Sequence, residues 1–172
     1  GSNLNTGALY GLGWRNDPNI DLSIEGTQLD DVIINGGGSG NLNIRTYDGD
    51  DVVQSYMANE PVPSHLIDLG DGDDFVHITH TKDGQEVLQY LEIVDGGLGN
   101  DTISFFAYPY SDISYEINTG NTQNFENVFA HRGDDHIVGS SGDNVIVGNV
   151  GVDVIYGQAG NDTLYGSFQP GI

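Results

Sequence analysis

The feature that most limits what this chain can fold into is a period. From Ala130 the chain reads AHRGDDHIV, GSSGDNVIV, GNVGVDVIY and GQAGNDTLY, four nonamers end to end. Each has Gly at its fourth place and Asp or Asn at its sixth. An aliphatic residue follows two places later: Ile137, Ile146, Ile155 and Leu164. A short fixed period specifies a repeat architecture, in which each unit buries its apolar side only against the next.

The sixth-place residue serves as a marker for the rest of the chain. It recurs in GTQLDDVII (Asp31), TYDGDDVVQ (Asp51), LGDGDDFVH (Asp74) and GGLGNDTIS (Asp101). Two places after each marker stands Ile33, Val53, Val76 or Ile103. Seven places before a marker stands Ile24, Ile44, Ile67, Val94 or Val128. In the nonamers the two offsets coincide, so one rule spans the chain. The intervals between Asp31, Asp51, Asp74, Asp101 and Asp135 are 20, 23, 27 and 34 residues.

A turn followed by a short strand with one aliphatic side chain inward makes a coil. Gly supplies turn conformations that residues bearing a Cβ reach only with strain. Alternation at Leu42/Ile44, Val52/Val53, His77/Ile78 and Ile113/Tyr115/Ile117 indicates strands. Two nonamers make one coil with a loop on each edge, and each longer interval also reads as one coil. Its second edge then carries an irregular turn: 36–40, 58–64, 82–85 or 107–124. Pro61, Pro63 and Pro109 fall in these turns, where a missing N–H is tolerated. On this reading the loops at Asp31, Asp51, Asp74, Asp101, Asp135 and Asp153 stack along one edge, and those at Asn144 and Asp162 along the other. No segment of helical period is long enough for a helix. The expected organisation is an N-terminal cap or first strand (1–25), irregular long coils with loops on one edge (26–129), a regular roll (130–166) and a tail (167–172). Tyr10, Leu12 and Trp14 at one end, and Phe168 with Pro170 at the other, read as caps. The opening Gly1-Ser2 reads as a cloning scar on a piece of a longer chain.

Charge narrows the function classes. The chain has 4 Lys plus Arg against 26 Asp plus Glu, a net charge of -22. Nucleic acid and anionic membrane surfaces need the opposite sign. A carboxylate excess of this size calls for cations or for disorder, and 37% apolar residues in periodic positions argue against disorder. There is no cysteine, so no disulfide and no thiolate metal site. No apolar run reaches membrane-spanning length. Ca²⁺ takes about six to eight oxygens from carboxylates and carbonyls. A Gly-rich turn aims carbonyls inward and Asp adds charge, so one loop gives about half a shell and the loop one coil away completes it. An EF-hand does not fit: the twelfth position counted from Asp48 is Asn59, and from Asp68 it is Thr79.

GGLGND at 96–101 and GQAGNDTLY at 157–165 resemble the Gly-Gly-x-Gly-x-Asp-x-U-x repeat of the repeats-in-toxin (RTX) calcium-binding proteins. The stretch from Asn100 through NFENVFAHRGDDHIVG resembles the run leading into such repeats. The resemblance implies an all-β, right-handed parallel β-roll or irregular β-helix with Ca²⁺ between coils. It also implies type I secretion and service as one module of a large extracellular bacterial protein. Carried onto this sequence, the loop ligands are Asp30, Asp31, Asp48, Asp50, Asp51, Asp71, Asp73, Asp74, Gly97, Gly99, Asn100, Asp101, Gly133, Asp134, Asp135, Gly142, Asp143, Asn144, Gly151, Asp153, Gly160, Asn161 and Asp162. Asn144 lowers the charge of its site and Val152 removes a side-chain oxygen. Six stacked loops on one edge and two on the other leave room for up to six ions. The expected partners are calcium and the rest of a larger polypeptide, with the module monomeric.

Other features carry less. His77 and His80 are three apart on a strand and face opposite ways; His131 and His136 flank a loop; His65 stands apart. Surface or strand histidines explain them better than a zinc site does. No G-x-S-x-G or H-E-x-x-H occurs, so no enzyme is expected. Phe105, Phe106, Tyr108, Tyr110 and Tyr115 are either core or a face for stacking sugar rings, which leaves a glycan-binding or carbohydrate-active domain as an alternative. Asp17-Pro18 is either a turn or a calcium-triggered self-cleavage point.

Overall fold

The computed structural model describes residues 8–10, 22–35, 41–57, 65–80, 91–107, 116–117 and 122–166. Every element in them is a short strand, and every strand pairing is parallel. An eight-stranded sheet stacks β1 (Ala8–Tyr10), β3 (Val32–Asn35), β5 (Val52–Met57), β7 (Phe75–His80), β9 (Thr102–Ala107), β12 (Asn127–Phe129), β14 (Val145–Val147) and β16 (Thr163–Tyr165) in that order. Facing it are two shorter sheets. One contains β2 (Leu22–Glu25), β4 (Leu42–Arg45), β6 (His65–Asp68), β8 (Leu91–Asp95) and β11 (Thr122–Gln123). The other contains β10 (Glu116–Ile117), β13 (His136–Val138) and β15 (Val154–Tyr156). The chain alternates between the large sheet and a small one, as a solenoid does, except between β9 and β12, where β10 and β11 follow each other in the two small sheets. The fold is a parallel β-roll, all-β as the period predicts.

The offset rule places the core. Ile33, Val53, Val76, Ile103, Val128, Ile146 and Leu164 lie in one register row up the large sheet. Ile24, Ile44, Ile67 and Val94 form the opposing row, continued by Ile137 and Ile155 in the third sheet. All but Ile155 and Leu164 are buried, Leu164 being 44% exposed where the stack ends. Burying an aliphatic side chain contributes roughly 1.5–3 kcal/mol, set against the entropy of ordering it. The β-branched residues fit these strands because each presents one inward side chain to a pleated surface.

One expectation is corrected. The 34-residue interval from Asp101 to Asp135 is not a single coil. β12 pairs with β9 on one side and β14 on the other, so the large sheet regains the chain at Asn127. The coil runs from Asp101 to Glu126, and Asp135 comes half a coil later. The loops before β14 and β16, ending at Asn144 and Asp162, therefore continue the edge begun by Asp31, Asp51, Asp74 and Asp101. The loops ending at Asp135 and Asp153 form the second edge. The sequence hid this because Val128 satisfies both offsets: seven places before Asp135 and two after Glu126. The irregular turns at 36–40, 58–64 and 82–85, Pro61, Pro63, Pro109, Tyr108, Tyr110, Tyr115, Trp14, Phe168 and Asp17-Pro18 lie outside the described residues.

Candidate metal centre

Each loop occupies the six residues before its strand, and loops stack with their coils. Their third positions are tied by backbone bonds. Asp71 donates to Tyr47 O at 2.8 Å and Gly49 donates to Asp71 O at 2.9 Å. One coil on, Leu98 donates to Gly70 O at 2.9 Å and Gly72 donates to Leu98 O at 2.8 Å. On the second edge Gly133 donates to Val150 O at 2.9 Å. Fourth-position glycines make the approach that close. Gly72 and Gly99 have φ of 152° and 148°. A Cβ there would lie 2.0 Å from Gly49 O and 1.8 Å from Gly72 O.

The marker side chains form a ladder running one way. The amide of Asp31 donates to Asp51 Oδ1 at 2.7 Å, that of Asp51 to Asp74 Oδ1 at 2.7 Å, and that of Asp74 to Asp101 Oδ1 at 2.9 Å. Asp135 donates to Asp153 Oδ1 at 3.1 Å and Asn144 to Asp162 Oδ1 at 3.0 Å. The fifth-position side chains form a second ladder in the opposite direction. Asp50 donates its amide back to Asp30 Oδ1 at 3.2 Å, Asp73 to Asp50 Oδ1 at 3.0 Å, and Asn100 to Asp73 Oδ1 at 3.0 Å. Val152 donates to Asp134 Oδ1 at 2.9 Å and Asn161 to Asp143 Oδ1 at 2.7 Å. Paired carboxylates at adjacent positions thus clamp each junction from both sides.

The ladder uses only one oxygen of each marker. The second, Oδ2, is buried without a hydrogen-bond partner in Asp51, Asp74, Asp101 and Asp153. It sits over the first residue of its own loop: a Cβ on Gly148 or Gly157 would lie 2.3 Å from Asp153 Oδ2 or Asp162 Oδ2. Asn144 keeps an oxygen in the same place, since a Cβ on Gly139 would lie 2.3 Å from Asn144 Oδ1. That Oδ1 is also buried and partnerless, while Nδ2 donates to Ser140 Oγ at 2.9 Å. Asp31 differs, because its Oδ2 accepts from the Thr27 amide at 2.5 Å and hydroxyl at 3.1 Å. Buried acceptors without donors are costly. Burial pushes the carboxyls of Asp74 and Asp101 up to about 7, with neighbouring carboxylates adding to it. Hard, anionic oxygens that lack donors, beside Gly-rich backbone, fit Ca²⁺.

Asp48 and Asp71 are exposed and line an open cleft with Arg45, Tyr47, Asp68 and Gly70. Arg45 pairs with Asp68 at 3.3 Å, and the Tyr47 hydroxyl donates to Glu25. Val152 is 77% exposed and leaves Asp134 without a fifth-position carboxylate beside it. Among the described residues, no group of three His, Cys, Asp and Glu side chains is placed to hold a metal unaided. A cation held here would need backbone carbonyls as well. Phe106 stands between His77 and His131, with ring centroids at 6.4 and 5.0 Å, and burial holds both imidazoles below their ordinary value. Phe105 is buried core. Sequence reading missed Glu126, whose Oε2 accepts the Asp101 amide at 3.0 Å in the place of a marker Asp.

The family model of the RTX calcium-binding nonapeptide repeat matches in four copies, over residues 92–104 and 129–164. The chain carries RTX repeats. They are calcium-binding repeats, and the matched segments hold the loops ending at Asp101, Asp135, Asn144, Asp153 and Asp162. The earlier RTX-like loops, at Asp51 and Asp74, lie outside the matched residues yet share the ladder geometry of the RTX loops. Searches of curated proteins and of solved structures give no match. Among the described residues no helix is long and apolar enough to cross a membrane.

Proposed function

We propose that this RTX chain is a calcium-triggered folding module of a larger secreted bacterial protein, structural rather than catalytic. The supporting observation is the set of buried, partnerless marker oxygens, on Asp51, Asp74 and Asp101 along one edge and on Asp153 along the other. Without a cation they confront one another and their desolvation; with Ca²⁺ between loops, repulsion becomes attraction. Marker and fifth-position side chains supply charge, and the Gly-rich loops supply carbonyls. Binding energy then appears as folding energy. With 26 acidic residues against 4 basic ones, the unliganded chain repels itself. Such a chain stays expanded where calcium is scarce and folds where it is plentiful. Extracellular calcium modules work at about 10⁻⁴–10⁻³ M. Residues 1–25 and 167–172 are read as cap and tail.

The test is circular dichroism and size exclusion, first with chelator and then with millimolar Ca²⁺. The expected result is an expanded, β-poor chain that becomes compact and β-rich on calcium addition. Mg²⁺ substitutes poorly, because it demands a smaller octahedral shell and sheds water reluctantly. A chelated chain as compact and β-rich as the calcium-loaded one overturns the folding-switch reading.

A further inference from the structure

We infer that the coil holding Phe125 and Glu126 is a metal-free divider between two calcium-loading blocks, residues 26–107 and 130–166. The inference rests on the reading of the loop oxygens as calcium ligands.

Loop length is the first observation. Asp95 is paired with Gln123, and Thr102 with Asn127. Between those fixed points one coil uses residues 96–101, and the next uses only 124–126. The shortened turn lacks the Gly-rich positions that present carbonyls. Phe125 takes the space inward and is fully buried.

Both ladders stop at this coil. Glu126 still reaches the Asp101 amide, its extra methylene spanning what the short turn leaves open. Beyond it the marker side chain is Asn144, and the nitrogen of its amide is turned to Ser140 Oγ. The junction is held instead by strand pairing, with Val145 donating to Glu126 O at 3.0 Å. In the fifth-position ladder a side-chain amide replaces the backbone: Asn127 Nδ2 donates to Asn100 Oδ1 at 2.8 Å.

Gly142 gives the third, independent sign. Its counterparts Gly72, Gly99, Gly151 and Gly160 abut the carbonyl of the preceding loop, at 2.0, 1.8, 1.7 and 2.3 Å from a built Cβ. At Gly142 the only neighbour among the described residues is Ser140 Oγ, 3.6 Å away. No described loop stacks there. Among the described residues, the complete gaps between six-residue loops are then those of Asp31/Asp51, Asp51/Asp74 and Asp74/Asp101 in the first block. The second block has Asp135/Asp153 on one edge and Asn144/Asp162 on the other. The described loops thus have room for five ions, three and two. Ions in adjacent gaps share a loop and so are coupled. Across the divider no loop is shared, and coupling falls to β9–β12–β14 pairing and Phe125.

Hydrogen exchange followed by segment across a calcium titration of the full chain, with bound ions counted by native mass spectrometry, tests this. Asp74→Asn and Asp153→Asn each keep an oxygen for the ladder and remove one charge. Asp74→Asn is expected to raise the calcium midpoint for protection of residues 32–107 about tenfold, and that of residues 136–165 less than twofold. Asp153→Asn should do the reverse, and the unsubstituted chain should load five ions. Equal shifts in both blocks, or a sixth ion protecting residues 124–126, overturns the divider while leaving calcium binding intact. Protection that is independent of calcium throughout overturns the divider and the calcium reading together.

Discussion

The amide of Asp74 donates to Oδ1 of Asp101, 27 residues later and 2.9 Å away, while Oδ2 of the same carboxylate is buried with no partner. One carboxylate therefore performs two tasks. Its first oxygen joins coil to coil and sets the register, whether or not an ion is present. Its second is left for a cation. The neighbouring bond, from the Asn100 amide back to Asp73 Oδ1, runs the other way along the stack. Adjacent acidic residues at the fifth and sixth loop positions are thus a two-way clamp, and this explains why the pair recurs.

Acidity should substitute partly for calcium. Burial, then the charges of Asp51, Asp101 and Asp50, raises Asp74 to about 7 in the folded chain. Burial, then Glu126, Asp73 and Asp95, does the same for Asp101. Unfolded, both return to about 3.9. Between those values the folded state binds more protons, so metal-free stability falls as pH rises from about 4 to about 7. Chelated chain should therefore be more compact and richer in β structure at pH 5 than at pH 8, by size exclusion and circular dichroism. With calcium the trend reverses, because the ion needs the deprotonated form, and calorimetry near pH 6.5 in two buffers should show proton release. A chelated chain more stable at pH 8 would count against the buried carboxylates.

Gly99→Ala and Gly142→Ala separate coil stacking from turn formation. Both glycines hold the fourth loop position. At Gly99, φ is 148° and a Cβ would meet Gly72 O at 1.8 Å. At Gly142, φ is not positive and the nearest atom among the described residues is 3.6 Å away. Gly99→Ala should cost about 2 kcal/mol or more, and Gly142→Ala stay within about 0.5 kcal/mol. Denaturant melts in saturating calcium read the difference, and similar losses at both sites would mean that stacking is not what the glycine serves.

Much of this fold is legible in the sequence because the coil imposes a strict local rule. A marker, then an aliphatic residue two places on, places Ile33, Val53, Val76, Ile103, Ile137 and Ile146 in the core without knowledge of pairing. Which loop stacks on which is a long-range property, and there the rule fails. At Glu126 the marker is longer by a methylene and its loop is cut to 124–126, so the residue types that announce a loop are missing. That single coil moves Asn144 and Asp162 onto the edge expected for Asp135 and Asp153. The position of Val128, two after Glu126, was the available signal. The ladders were not legible, since alternate use of two carboxylate oxygens leaves no trace in residue type.

Asn144→Asp should tighten calcium binding in the second block. Asn144 Oδ1 already stands where Asp153 and Asp162 place Oδ2, so the substitution adds charge without moving the oxygen. Affinity in such sites follows ligand charge. The calcium midpoint for residues 136–165 should fall about threefold to tenfold, with a loss of metal-free stability from one more buried carboxylate. Isothermal titration reads the first effect, and the β content of the chelated chain at pH 5, by circular dichroism, reads the second. An unchanged or higher midpoint would remove Asn144 from the ligand set.

Asp51 and Asp48 test which acids of one loop face the ion. Both are three places or fewer from the loop end and both carry one charge, yet they differ in surroundings. Asp51 is 1% exposed, with Oδ2 partnerless and Oδ1 holding the Asp31 amide. Asp48 is exposed and lines the cleft that also holds Arg45 and Asp68. Changing either to Asn keeps an oxygen and deletes the charge, so the Asp31 amide retains an acceptor in Asp51→Asn. A charge in contact with a buried cation is worth far more than one in solvent, where screening leaves about 1 kcal/mol or less. Asp51→Asn should raise the calcium midpoint for residues 32–107 tenfold or more, and Asp48→Asn less than twofold. If Asp48→Asn matches Asp51→Asn, the ion draws on the outer acids as strongly as on the buried ladder, and the assignment of the partnerless Oδ2 as the principal ligand is wrong.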